Sequence, residues 1–396
     1  MQPPVPRERT RLALLLFLHA QAGGMWTVAQ SNVFRAHGLQ QIVPYTVTCG
    51  ALAAMISPLI LGSIADHHVS ANRLLRWLAT GTAVFLALTS LAIERQWGAA
   101  SVLALLQIQA LFTAPMWGLS TTIVLARLRE PQREFGPIRV WATIGWLTAG
   151  PITSFVLMAD SSTRAGFAAS VLWLGVAAYT FTLPPVPPLG RGGPRPWRDV
   201  LGLPALRLLA HRDHRIVFLT SALISAPLAA FYPFAALHLG DVGVKNIAAS
   251  LSLGQTSEII ATYGLGALLA RVRLKWIFLT GIGFGAIRYL LFAFDTKTGL
   301  LAGIAIHGFC YTLFFVTAQL YLEKRIDPQL RARAQALLTL MTAGIGTLAG
   351  SIASDRWWIA CKTGTQTDWS QFWTGLNVVV AAVFVFFALT YRGIRE

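Results

Sequence analysis

The chain has 396 residues, of which 55% are hydrophobic and only 12% charged, and its formal net charge is +16. A water-soluble chain keeps roughly a quarter of its residues charged, so this composition, with a mean hydropathy of +0.58, excludes an ordinary soluble protein. The three cysteines, Cys49, Cys310 and Cys361, show neither metal spacing nor a paired framework, which excludes a disulfide scaffold and a cysteine zinc site.

A membrane span takes about 20 apolar residues. Runs of that kind predict spans at 10–34, 42–64, 74–93, 99–127, 137–158 and 165–183. After a long connection, six more follow at 214–238, 246–270, 276–294, 299–322, 332–354 and 369–391. The first run has the outline of a signal peptide: Arg7, Arg9 and Arg11, then Leu12–Leu18, then Ala20-Gln21-Ala22. Its apolar stretch continues through Met25, Trp26 and Val28 toward Phe34, long enough to span, so it is expected to stay in the protein.

The basic residues test this count. With the N-terminus placed in the cytoplasm, 23 of the 32 Lys and Arg residues fall in inside segments and 7 in outside loops. The remaining two, Arg139 and Arg288, lie within spans. Every inside segment then obeys the positive-inside rule, and both termini are expected in the cytoplasm. The same distribution excludes nucleic acid as a partner, because the charge is spread over seven short segments.

The connection at 184–213 opens with Pro184, Pro185, Pro187 and Pro188 and continues through Gly190, Gly192, Gly193, Pro194 and Pro196, the composition of a linker. It divides the chain into an N-terminal half, 1–183, and a C-terminal half, 214–396. Glu130-Pro131-Gln132 before span five and Asp327-Pro328-Gln329 before span eleven repeat at an offset of 197 residues. The expected fold is therefore an all-α membrane protein of 12 transmembrane helices in two six-helix halves, the layout of major facilitator transporters. Gly281 with Gly285, and Gly346 with Gly350, give small-xxx-small spacings for close helix packing. Prolines 44, 58, 115, 151, 227 and 233 lie within spans, where they bend or unwind helices.

Ionisable groups at membrane depth are costly and mark a pathway or a site. Of the sixteen acidic residues, Glu258 alone sits near the middle of a span. Gln255, Glu258 and Thr262 follow i, i+3, i+7 and share one helix face, which Ser252 extends by a turn. A carboxylate flanked by an amide and hydroxyls suits a cavity wall that holds polar groups, and such a carboxylate can carry a proton. The bland reading is an ion pair that pins the bundle. In span five, Arg139, Thr143 and Trp146 follow i, i+4, i+7, a stripe able to hydrogen-bond and stack a polar ring. Arg139 could equally snorkel to headgroups. In span ten, His307, Tyr311 and Phe315 form a third stripe, where a neutral hydrogen-bonding histidine is the commoner case. Phe231, Tyr232 and Phe234 around Pro233 suggest an aromatic, bent wall in span seven. Arg288 in span nine is expected to have a structural partner or an interfacial role. No phosphate-cradling loop, metal cluster or nucleophile elbow appears, so an enzyme is not expected and a gradient would have to drive transport.

These stretches resemble the bacterial nucleoside:proton symporter family of the major facilitator superfamily. Phe135-Gly136-Pro137-Ile138-Arg139-Val140-Trp141-Ala142-Thr143-Ile144-Gly145 is similar to that family's start of span five. Gln255-Thr256-Ser257-Glu258, Ala286-Ile287-Arg288-Tyr289, Glu323-Lys324, Arg331–Ala336, Met341-Thr342, Gly346 and Asp368-Trp369 extend the likeness over nearly the whole chain. Gly62 to Asp66, with His67, His68 and Arg73, resembles a degraded form of the superfamily's gating loop after span two. The resemblance implies substrate-binding roles for Arg139, Thr143, Trp146 (Phe in the family), Gln255 and Glu258. It departs at Ala229 and Tyr232, where the family carries two amides, and at His307 and Tyr311, where it carries Tyr and Phe. The implied function is proton-coupled nucleoside uptake by alternating access across the bacterial inner membrane, by a monomer. Substrate would contact Arg139, Thr143, Trp146, Tyr232, Gln255, Glu258, His307 and Tyr311; Glu258 would couple the proton, and no cofactor would be needed. The alternatives are a symporter for a sugar or aromatic acid, and a transporter-like sensor.

Overall fold

In a computed structural model that describes residues 6–67, 69–187 and 196–393, each expected span is helical. Among the described residues nine helices are long and apolar enough to cross a membrane. The other three expected spans are Val43–His67, Pro131–Pro151, and the pair Ile247–Ser252 and Gly254–Arg271. The last two are less apolar because they carry Arg133, Glu134 and Arg139, and Gln255, Glu258 and Arg271. His68, residues 188–195 and the side chains of residues 58–67 lie outside the description, and with them the gating reading of the Gly62–Asp66 loop. The second part of the Pro/Gly-rich connection is not all irregular: Trp197–Val200 and Leu203–Ala210 form short helical turns.

The chain divides into two compact units, Met1–Arg195 with Lys245–Ser252, and Pro196–Val244 with Leu253–Glu396. In the first unit Gly145 of span five lets the helix approach span one so closely that a Cβ would stand 2.3 Å from the Phe17 carbonyl oxygen. At the start of span five, Glu134 accepts from the Glu130 backbone N–H at 2.9 Å and pairs with Arg9 of span one at 2.8 Å. The segment Ile247–Ser252 is capped within this unit: Asp160 and Ser154 accept from the backbone N–H groups of Ala248 and Ala249 at 2.7 and 3.0 Å.

In the second unit the two small-residue pairs act as their spacing suggests. Gly281 and Gly285 of span nine meet Leu313, Phe314 and Cys310 of span ten. Gly346 and Gly350 of span eleven meet Ala222 and Ala226 of span seven. The three cysteines are free and buried.

Spans one, four, seven and ten are each interrupted, at residues 28–29, 114–115, 229–230 and 306. These are every third span, and broken helices at corresponding places are where transporters place their sites. The causes are local. Pro115 cannot donate to Leu111, and the freed Leu111 carbonyl accepts instead from the Ser57 hydroxyl at 2.9 Å. Pro233 likewise cannot bond Ala229, and the helix of span seven stops at Leu228 and restarts at Phe231.

The second piece of span seven, Phe231–Asp241, is fixed by His238, which is fully buried. Trp373 Nε1–H donates to its Nδ1 at 2.9 Å, and its Nε2 meets Asp295 Oδ1 at 2.6 Å. Because an indole only donates, Nδ1 accepts and Nε2–H donates to the carboxylate. Trp369 stacks on the imidazole with ring centroids 4.7 Å apart. Replacing His238 with Phe keeps the stack but orphans the buried Trp373 indole N–H, while the half-exposed Asp295 carboxylate turns to solvent. At about 1–3 kcal/mol for the orphaned indole, the thermal unfolding midpoint of purified protein is expected to fall by a few degrees; an unchanged midpoint would show the network to be dispensable.

Candidate functional site

Each unit carries its own part of the expected site. In the first unit Arg139, Thr143 and Trp146 lie partly buried along Pro131–Pro151. The Trp146 ring rests on span one, 3.2 Å from where a Gly24 Cβ would stand and 3.7 Å from that of Gly23. Those two glycines, just before the break at 28–29, make a flat seat for the indole. Larger residues there would push the ring off its stripe.

In the second unit five expected residues converge. Gln255 Nε2–H donates to the Tyr232 hydroxyl at 3.5 Å, joining spans eight and seven. His307 stands edge-on to Tyr232, with ring centroids 6.0 Å apart, and stacks on Phe231 at 4.2 Å with an interplanar angle of 10°. Tyr311 follows His307 one turn on, stacked at 6.5 Å, and opens the π-helical stretch Tyr311–Val316. Such wide turns concentrate at functional sites. Glu258 is placed by backbone packing: a Cβ on Gly308 would stand 2.0 Å from its nitrogen and 2.4 Å from its Cα. Gly254 makes the reciprocal approach to Ile304 and His307. The Gly308 N–H donates to the Ser257 hydroxyl at 2.9 Å. Spans eight and ten thus meet along Gly254, Ser257 and Glu258 on one side and Ile304, His307 and Gly308 on the other.

One expectation needs correction. Ser252 does not extend the Gln255–Glu258 face along one continuous helix. Span eight is interrupted at Leu253, and Ser252 bonds the Ala248 carbonyl within the first unit, seated against Gly150. Of the two roles expected for Arg288, the structure shows the partner and not the interface: Arg288 is 1% exposed and its Nη1 lies 2.5 Å from His307 Nδ1. The glycines 254 and 308, which set the spacing of the two polar stripes, were missed. Their only trace in the sequence is a glycine beside a candidate polar residue in each of two spans.

A sequence profile of the nucleoside H+ symporter family matches residues 7–395. The chain belongs to that family. It is 31% identical over 407 residues to YegT of Escherichia coli (strain K12), covering 98% of this chain and 94% of that one. It is 27% identical over 375 residues to the nucleoside permease NupG of the same organism, covering 87% and 86%. The crystal structure of the nucleoside transporter NupG superposes with a TM-score of 0.82 at 24% identity, over 97% of this chain and 99% of that one, and shows the fold. The family is one of multi-pass membrane transporters, and these relatives are permeases rather than enzymes.

Proposed function

We propose that this symporter takes up nucleosides together with protons across the cytoplasmic membrane, as a monomer with both termini in the cytoplasm, by alternating access. The carrying observation is Glu258. It is the one carboxylate near the middle of an expected span, its backbone is fixed on Gly308, and its helix also bears Gln255, which reaches Tyr232. Tyr232, His307 and Tyr311 add rings and polar edges suited to a nucleobase, and Gln255 and Glu258 suit ribose hydroxyls. Within the first unit, Arg139, Thr143 and Trp146 offer a cation, a hydroxyl and a ring to the same class of solute. Glu258 binds the proton that accompanies substrate. No cofactor takes part.

Tyr232 and Ala229 stand where the family resemblance implies amides, so the base selected differs from that of an amide-bearing relative. Purified protein in proteoliposomes is expected to accumulate labelled uridine or adenosine when an inward proton gradient is imposed, and only to equilibrate them without it. Folded protein that moves neither nucleoside, but moves a sugar or an aromatic acid under the same gradient, would replace the nucleoside by that solute.

A further inference from the structure

Arg288 is a buried cation that, among the described residues, has no acidic side chain paired with it. Its guanidinium instead lies over the rings of Phe231 and Tyr289, at 4.8 and 4.5 Å from their centroids, and its Nε has no hydrogen-bond partner. One of its N–H groups bonds His307 Nδ1. A guanidinium has only N–H groups to offer, so Nδ1 must accept, and the imidazole is neutral with its proton on Nε2. Two independent constraints then fix the ring. The stack on Phe231 sets its plane, and the bond to Arg288 sets its rotation within that plane.

The other edge of the ring is presented to the polar face. His307 Cδ2 lies against Gly254, one residue from Gln255, while Tyr232 and Tyr311 flank the ring. Among the described residues Nε2 has no protein partner. Burying an unpaired cation is costly, and here it produces a histidine that can only donate toward that face.

We propose that Arg288 is a positioning residue that locks His307 as a fixed Nε2–H donor, so that the transporter selects solutes presenting a hydrogen-bond acceptor, a ring nitrogen or carbonyl of a nucleobase, at that point. The selectivity part rests on the nucleoside reading above; the lock does not. A donor that cannot rotate or change tautomer rejects a base whose matching edge carries C–H, because the buried N–H would be left without a partner.

The lock is read without substrate, by 15N NMR of histidine-labelled protein, with His307→Gln used to assign the signal. At neutral pH the expected spectrum has an unprotonated Nδ1 and a protonated Nε2 in the wild type, and a mixture of tautomers in Arg288→Met. A wild-type His307 protonated on Nδ1 overturns the lock whatever the solute is. Selectivity is read by competition of labelled adenosine uptake with deaza analogues, each lacking one acceptor ring nitrogen, and of labelled uridine uptake with thio analogues, each with one carbonyl oxygen replaced by the weakly accepting sulfur. At least one analogue is expected to compete about five- to tenfold more weakly than its parent. That ratio is expected to collapse toward one in His307→Phe and to survive in His307→Gln, whose amide accepts from Arg288 and still donates. A wild type that treats every analogue as its parent, or a ratio unchanged in His307→Phe, overturns the proposal. An intact lock in protein that moves no nucleoside would leave His307 a fixed donor and assign the failure to the nucleoside reading alone.

Discussion

Replacing Glu258 with Gln is expected to abolish accumulation of nucleoside under a proton gradient while leaving solute exchange largely intact. The amide has nearly the shape of the protonated carboxyl. The contact that fixes this position runs through the backbone nitrogen, Cα and Cβ against Gly308, and the substitution leaves those atoms in place. What is removed is the ability to bind and release a proton. With one proton per solute, a pH difference of one unit is worth about 1.4 kcal/mol, or about a tenfold concentration ratio. Wild-type proteoliposomes should approach that ratio, and E258Q vesicles should stop at one. Counterflow, in which unlabelled nucleoside inside drives entry of label, needs no net proton movement and should continue. An E258Q protein that still concentrates nucleoside would remove Glu258 from coupling, and loss of counterflow as well would assign Glu258 to binding instead.

The helices over the expected spans were legible because a bilayer imposes a length and an apolar composition on each span. The sharing of one face by Gln255 and Glu258, and by His307 and Tyr311, was also legible, since residues three and four apart on a helix are neighbours. The meeting of those two faces was not. It depends on Gly254 and Gly308, whose contribution is an absent side chain, and no periodicity reports an absence. Which partner Arg288 takes was not legible for a related reason. Its partner, His307, lies 19 residues on in the next span, and a cation bound to an imidazole leaves no charge pattern in the sequence. The break in span eight at Leu253 has no Pro to announce it, and Gly254 with the polar residues Gln255 to Glu258 beside it read as part of a cavity face, so the run read as one helix and Ser252 was placed on the wrong stripe. The breaks at 114–115 and 229–230 had Pro115 and Pro233 to mark them.

The Gly308 contact gives the other large expectation. Gly308→Ala would place a methyl carbon 2.0 Å from the Glu258 nitrogen and 2.7 Å from its Cβ. The nearest of these are backbone atoms in a helix, which cannot swing aside as a side chain can, so spans eight and ten must separate. Overpacking of this kind costs about 1–3 kcal/mol in stability. Function should suffer more, because the same shift moves Glu258 away from His307 and stretches the bond from the Gly308 N–H to Ser257, and misplacing a working group by about 1 Å can cost on the order of a hundredfold. A graded series separates this from a general intolerance of alanine. A Cβ at Gly264 in the same span eight meets nothing within 4 Å, and one at Gly254 meets His307 Cβ and the Ile304 carbonyl at 3.1 Å. Uptake and thermal midpoint should therefore be near wild type for Gly264→Ala, reduced for Gly254→Ala and lowest for Gly308→Ala. If Gly308→Ala transports and melts as Gly264→Ala does, spans eight and ten do not pack this closely during transport, and the placement of Glu258 beside His307 is not what the symporter uses.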